Sequence, residues 1–246
     1  MKLHFVKSTS NNKRFRAVVI EVQSRGAAEA GWLLVTGVPG VGKTTILKNW
    51  ALEQGAVWLT AKENWTVNYF IQDLAEALGV PTKSDVKKRD ALIVGQLARG
   101  QIPIVIDEVE RCFKRDFAIL RQLRTFSDAA ENVVVLSGME DDRKQNIQTQ
   151  ISNAMEFGSR VFKAITITQA SLEDIRAIAG EVLDVQLTDE LTEEILKQSN
   201  GILRNVKNAF SIVERWGIRN KRDTVTLKDM EDVQLCQVFH VKKSGR

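Results

Sequence analysis

The sequence predicts an α/β chain: a parallel sheet covered by helices up to about residue 168, then a small helical domain. Three observations predict it. Apolar, β-branched runs of strand length recur between helical stretches, as WLLVT (32–36), AVWLT (56–60), IPIVID (102–107), NVVVLS (132–137) and AITIT (164–168). They are continuous rather than alternating, the pattern of strands covered on both faces by crossover helices. A glycine-punctuated loop follows the first run and opens an amphipathic stretch, and beyond residue 168 the strand runs stop.

Taken in order, the first strand ends where Gly37 begins the string Gly37, Val38, Pro39, Gly40, Val41, Gly42, Lys43, Thr44, Thr45, which satisfies G-x-x-x-x-G-K-[ST] between a strand and a helix. Glycines let successive backbone N–H groups turn inward as an anion nest, and the helix that starts there adds its positive end. Lys43 is expected to hold the β- and γ-phosphates of a nucleoside triphosphate, and the Thr44 hydroxyl to ligate Mg²⁺. After the second strand, Ile71, Leu74, Ala75 and Leu78 mark one face of a helix from Thr66 to Gly79, with Pro81 beyond. The third strand closes on Asp107 and Glu108. A carboxylate pair there completes a phosphate site, Asp107 holding magnesium through water and Glu108 polarising the attacking water. Water activation suits hydrolysis, hence an NTPase.

In the helical part, Ser171 with Asp174, and Thr226 with Asp229, have capping-box spacing. Leu203, Val206, Phe210 and Val213 form an apolar helix stripe. The expected domains are residues 1–168 and 169–246.

Composition excludes several classes. No apolar run approaches the roughly 20 residues that span a bilayer, and the N-terminus lacks a signal-peptide core, so a cytoplasmic protein without membrane partners is expected. Cys112 and Cys236 lie far apart, and with only two histidines no zinc constellation is available. Net charge is +4, which leaves polyanion binding open where charge clusters. The clusters are NNKRFR (11–16), RCFKRDF (111–117), RNKR (219–222) and the terminal VKKSGR (241–246). Each taken singly reads as a solvated face.

The segments GVPGVGKTT, IPIVIDE, NVVVLSGME, ISNAMEFGSRVF and NGILRNVKNAF, in this order, resemble the AAA+ ATPases of DNA transposition, in particular the family of phage Mu transposition protein B and its relatives in Mu-like prophages. The resemblance runs from about residue 5 to residue 235. It implies an AAA+ P-loop three-layer α/β domain with a helical lid, using ATP and Mg²⁺. It gives Arg160 the role of an arginine finger acting in trans on a neighbouring subunit. It makes Arg204 a second sensor on the lid and puts Ser137 at the first sensor position, with Met139 where the phage Mu protein has asparagine. It further implies a homo-oligomer, ring or helical filament, on double-stranded DNA, with a DDE-type transposase as partner. The helix-turn-helix domain that precedes this unit in the phage Mu protein is not expected here.

In such a fold the loops after the second strand and after Asp107 face the bound polymer. Lys62, Lys114 and Arg115 are the expected DNA contacts, with Arg143 and Lys144 in reserve, and Trp65 reads first as core. Two alternatives share these motifs: a helicase-loader or replication-initiator ATPase, and an ATP-bound scaffold with little turnover. A small-molecule kinase would leave the GSR segment and the helical appendage without purpose.

Overall fold

The computed structural model describes residues 5–83, 85–140 and 146–236, apart from the side chains of Lys114, Arg115 and Met155. Five parallel strands make one sheet: β1 (Trp32–Thr36), β2 (Val57–Thr60), β3 (Ile104–Asp107), β4 (Val134–Ser137) and β5 (Val161–Thr166), in the order β2-β3-β4-β1-β5. Around them run α1 (Ser10–Gln23), α2 (Lys43–Gln54), α3 (Val67–Ala77), α4 (Val86–Gly100), α5 (Lys114–Ala130), α6 (Ile147–Asn153) and α7 (Met155–Gly158). A 3-10 turn, Val109–Phe113, links β3 to α5.

Every residue of β1, β3 and β4 is buried, as continuous apolar runs require. Strand β5 departs from that expectation. It starts at Val161, three residues before the AITIT run, and none of its residues is buried, because at this edge of the sheet the helices do not cover its faces as they cover those of β1, β3 and β4. The core joins Trp32, Leu34, Ile106 and Leu136 of the sheet to Phe70, Leu74, Ile93, Leu97, Leu120, Leu123 and Phe157 of the helices. Trp32 stacks on Phe157 at 6.1 Å, and its indole N–H donates to Ser127 Oγ at 3.0 Å. A large apolar ring thereby enters the core with its one polar atom satisfied.

Helix α3 begins where its sequence places it: the Thr66 hydroxyl accepts from Tyr69 N as the N-cap. Helix α1 is not foreshadowed by the NNKRFR cluster. Within that cluster Lys13 and Arg14 are exposed while Asn11, Asn12 and Phe15 are buried, and Phe15 meets Trp50 edge-on at 5.8 Å.

The chain divides into two units. Residues 14–39 and 43–167 form one; the segment ending at Lys13, Gly40–Gly42 and the chain from Thr168 onward form the other. The second unit holds α8 (Leu172–Val182), α9 (Asp189–Ser199), α10 (Leu203–Arg219) and the 3-10 turn Lys228–Met230. It also contains two short strands that the sequence does not announce, β6 (Gln186–Leu187) and β7 (Thr224–Val225), paired in parallel. Its core gathers Ile175, Ile178, Leu191, Ile195, Val206, Phe210, Val213 and Val225. Among the described residues, no helix is long and apolar enough to cross a membrane. Cys112 and Cys236 are free and buried, and burial pushes the Cys112 thiol up to about 12, so it stays an unreactive core group.

The residues before Lys13 join this unit through Asp174. Its Oδ1 accepts from Ser10 N and its Oδ2 from Ser10 Oγ, both at 2.7 Å, while Ser171 and Asp174 close a reciprocal capping box at the head of α8. Burial pushes the Asp174 carboxyl up, but the hydrogen bonds from Ser10 and Ser171 outweigh it and hold it below its ordinary 3.8. A depressed carboxylate contributes stability that is complete above the unfolded-state value and lost as pH falls through the folded one. Asp174→Ala should therefore cost about 1–3 kcal/mol at neutral pH, because it strands the Ser171 N–H and both Ser10 donors while leaving the Ser171 cap bond in place. The stability gap to the parent should close as pH falls below about 4; denaturant unfolding at pH 7 and pH 3 checks both.

Candidate nucleotide-binding site

The glycine-rich loop leaves β1 at Gly37 and ends where α2 begins at Lys43. Gly40 and Gly42 have φ of +86° and +102°, a region open to glycine and strained for other residues. Space acts the same way: a Cβ on Gly40 would lie 2.9 Å from Ile202 Cγ2, and one on Gly42 2.9 Å from Leu203 Cδ1. Val41, between the two glycines, is fully buried and anchors the loop. The Lys43 ammonium lies in the loop's own curve, donating to Gly37 O at 2.6 Å and Val38 O at 3.1 Å. Pro39 and Thr45 are exposed on the loop and the first turn of α2.

The first turn of α2 meets the end of β3. Thr44 Oγ1 donates to Asp107 Oδ2 at 2.9 Å, and Asp107 Oδ1 accepts from Glu108 N at 3.1 Å. Asp107 is only 7% exposed. Two hard oxygen donors, a hydroxyl and a carboxylate, are thus within reach of one hydrated cation, which is what Mg²⁺ takes from a protein when phosphate and water fill its other positions. Among the described residues no cluster of three or more acidic, histidine or cysteine side chains forms a self-sufficient metal cage. A site of this kind suits magnesium brought in with a phosphate.

Glu108 sits at φ +58°, a left-handed conformation that costs a non-glycine residue about 1 kcal/mol or more and turns its side chain away from the strand line. Its carboxylate lies 2.7 Å from Arg111 Nη2. Arg111 also donates to Ala61 O at 3.0 Å and lies 3.5 Å from Glu63, so this one guanidinium ties the loops after β2 and β3 together. No motif marks Arg111; in sequence RCFKRDF reads only as a basic cluster. Glu110 carries no sequence signal either. Burial pushes its carboxyl above the ordinary 4.5, with Glu108 and Asp107 adding to the rise, while backbone hydrogen bonds from its own N–H and Met139 N–H oppose it. Its Oε2 lies 3.4 Å from Met139 N and 3.0 Å from where a Cβ on Gly138 would stand, with Ile147 Cδ1 nearer still. Residue 138 therefore has no room for a side chain.

Ser137 closes β4 opposite Val35 of β1. It is fully buried, and among the described residues its hydroxyl has no hydrogen-bond partner. A buried hydroxyl left unsatisfied costs roughly 1–3 kcal/mol, and such an orphan beside a phosphate loop is what a ligand oxygen would relieve. Met139, two residues on, is partly exposed.

The other expected site residues fall elsewhere. Arg160 binds within its own chain: Nη2 donates to Asp128 Oδ2 at 2.8 Å, Nε reaches both Asp128 oxygens at 3.2 and 3.3 Å, and Nη1 donates to Ser159 Oγ at 2.9 Å. Its side chain is 17% exposed. Arg204 stands exposed in the first turn of α10, its backbone N donating to Gly40 O at 3.1 Å. Lys62 is paired with Asp73 at 2.6 Å, and the same oxygen accepts from Trp65 Nε1 at 2.7 Å. Trp65 is a core residue, 6% exposed and edge-on to Phe70. Lys114 and Arg115 open α5, with side chains outside the described set, and Arg143 and Lys144 lie outside the described residues.

Comparison with known proteins agrees with this geometry at the level of fold. Residues 26–145, which contain the phosphate loop, Asp107, Glu108 and Ser137, match the model of a family described as AAA domain. The ORC2 protein of Aeropyrum pernix, solved as ADPNP–ADP complexes, superposes with a TM-score of 0.65 over 94% of this chain and 70% of that one, at 12% identity. No curated protein matches the chain in sequence. Identity that low shows fold alone. The parallel five-stranded sheet with its phosphate loop is an AAA+ P-loop α/β fold, and the segment that carries the loop is similar to the AAA domain.

Proposed function

We propose that this chain is an AAA+ ATPase that binds MgATP at the loop 37–45 and uses nucleotide state to control its assembly on DNA. The observation that carries the nucleotide reading is the Thr44–Asp107 contact. In it a hydroxyl and a carboxylate, the two donors a magnesium ion would take, meet beside a glycine loop whose lysine donates to the loop's own carbonyls.

The chemistry follows from charge placement. The loop N–H groups and the α2 N-terminus would receive the phosphates, and Lys43 would exchange the Gly37 and Val38 carbonyls for phosphate oxygens. Magnesium bound with the nucleotide supplies neutralisation of the β,γ-phosphate charge. Asp107 would hold it with Thr44, and Ser137 Oγ would gain the partner it lacks. Glu108 would accept a proton from the attacking water once its pair with Arg111 loosens, so Arg111 sets the orientation of the base. Arg160 remains the candidate finger for a neighbouring subunit, and Arg204 the candidate nucleotide sensor of the helical unit.

For the wider role, the replication-initiator or helicase-loader reading has the broader support, because the likeness to an ORC2 protein spans nearly the whole chain. The transposition reading, with a DDE transposase as partner, rests on the five sequence segments and gains nothing from the comparisons. Duplex binding with ATP, with ADP and without nucleotide tests what the two share: ATP-dependent binding supports assembly on DNA, and no binding in any state removes it. Copurification with a helicase or with a transposase then separates them.

At ATP near 100 times its dissociation constant, the wild type should gain about 2.7 kcal/mol of stability; Lys43→Ala should gain almost none in thermal unfolding with and without MgATP, and an equal gain would sink the phosphate-loop reading. Ser137→Ala should leave the nucleotide-free protein as stable or more so, since it removes an orphaned hydroxyl, yet shrink the stabilisation by MgATP. Arg160→Ala should keep monomeric ATP binding and lower hydrolysis in the assembled state at least about 100-fold. Asp128→Asn, which weakens the in-chain partner, should retain hydrolysis; loss in both variants would make the pair structural instead.

A further inference from the structure

Helix α10 has two unlike faces. Val206, Ala209, Phe210, Val213 and Gly217 are buried against the helical unit's core. On the opposite side Arg204, Lys207, Ser211, Arg215 and Arg219 follow one another at intervals of three or four residues, which puts them on a single stripe about 22 Å long. All four cations are exposed. The one carboxylate of the helix, Glu214, is buried and accepts from Asp184 N at 3.1 Å, so it leaves the stripe uncompensated. Among the described residues, neither Lys207 nor Arg219 has an ion-pair partner, and Arg215 donates only to Ser211 O. Lys221 continues the charge past the helix end, while Arg222 and Lys228 lie near Asp229, whose carboxyl hydrogen bonds from Thr226 and, to a lesser degree, these cations hold low.

An ordinary solvated face interleaves signs, and like charges four residues apart, as at Arg215 and Arg219, weaken a helix by a few tenths of a kcal/mol. The same unit has carboxylates to spare, yet Asp189, Glu190 and Glu193 are exposed on α9 instead. Charge is segregated by element. Arg219 complements the helix C-terminus, but Lys207 and Arg215 have no such local use.

We propose that the outer face of α10, through Lys207, Arg215 and Arg219, is a docking surface for the phosphate backbone of duplex DNA. A row of cations on one rigid helix, with no base-reading pattern, fits a sequence-independent polyanion. The proposal rests on the DNA reading above and adds the surface that meets it, on a different element from Lys62, Lys114 and Arg115.

The test is binding of the full chain to a random-sequence duplex with MgATP across a salt series, comparing wild type with Lys207→Ala/Arg215→Ala/Arg219→Ala. The control, Lys83→Ala/Lys87→Ala/Lys88→Ala, removes equal charge from the exposed region around the α4 N-terminus. Thermal unfolding confirms that both variants fold, and a Lys207/Arg215→Lys/Arg219→Lys protein, which keeps the charges, should bind as wild type. Three lost phosphate contacts lower the slope of log affinity against log salt by about 2 to 3 and weaken binding at least about tenfold near 0.1 M salt. That result in the α10 variant alone supports the proposal. An equal loss in both variants makes it an effect of net charge and overturns it. Wild-type binding that the α10 variant retains, slope included, overturns it while leaving the DNA reading intact on another face. No wild-type binding overturns both. Retention on polyglutamate, but not DNA, that depends on the three residues assigns the face to an acidic protein and overturns it as well.

Discussion

Parallel register is the constraint on which the site depends. Val35 stands opposite Ser137, Leu136 opposite Ile106, and Thr60 opposite Asp107. Strands β1, β4 and β3 therefore end level with one another, and the chain delivers Gly37, Ser137 and Asp107 to one edge of the sheet. Open α/β sheets bind ligands at the carboxyl ends of their strands, and here that edge collects a loop that can donate, a hydroxyl without a partner and a carboxylate. A one-residue slip of β4 would move every side chain to the opposite face and exchange Ser137 for Leu136 or Gly138. The strict burial of β1, β3 and β4 makes that slip costly, so core packing and site geometry are enforced by the same residues.

Charge is the second constraint, since Asp107, Glu108 and Glu110 crowd one strand end. Each finds a different resolution. Asp107 accepts from Thr44 and Glu108 N, Glu108 is met by Arg111, and Glu110 is half-buried, which raises its carboxyl above the ordinary value, while it accepts from Met139 N. Of the three, only Asp107 is left facing the phosphate loop with hydrogen-bonded but otherwise uncompensated charge, where a cation would fit. The left-handed Glu108 belongs to the same solution, because it swings the second acid onto Arg111 and away from the first.

How far the sequence foretells this depends on the range over which each signal acts. Local signals carry well: continuous apolar runs mark β1 to β4, the glycine pattern marks the loop, and Ser171 with Asp174 marks the head of α8. Strand β5 is misread because a run such as AITIT looks the same whether or not a helix layer covers it; only its position beside β1 leaves it open. Helix α1 hides behind its cations, since Phe15, Val19 and Val22 have helical spacing but stand among NNKR and polar neighbours. The two-residue strands β6 and β7 are too short to carry any period. Partnerships distant in sequence are invisible throughout. Nothing in GSR announces Asp128, thirty-two positions away, and nothing in DEVER announces that Arg111 spans two loops.

That invisibility bears most on Arg160. It ends a run of alternating charges: Asp116 to Arg121 at 2.8 Å, Arg121 to Glu156 at 2.8 Å, Glu156 to Arg124 at 3.7 Å, Arg124 to Asp128 at 3.2 Å, and Asp128 to Arg160 at 2.8 Å. Exposed pairs of this kind contribute little singly, and a network gains mainly by fixing side-chain geometry. The hydrogen bonds to Asp128 keep the Arg160 guanidinium firmly charged, and its mostly covered position leaves it no freedom without breaking them. An arginine that must reach a neighbour's phosphate would first surrender a bidentate carboxylate, and only a partner of greater charge density compensates for that exchange. A γ-phosphate is such a partner; water is not. The in-chain pair and an inter-chain role are therefore compatible on one condition, that assembly and nucleotide arrive together, and it is the same condition under which ATP can control assembly at all.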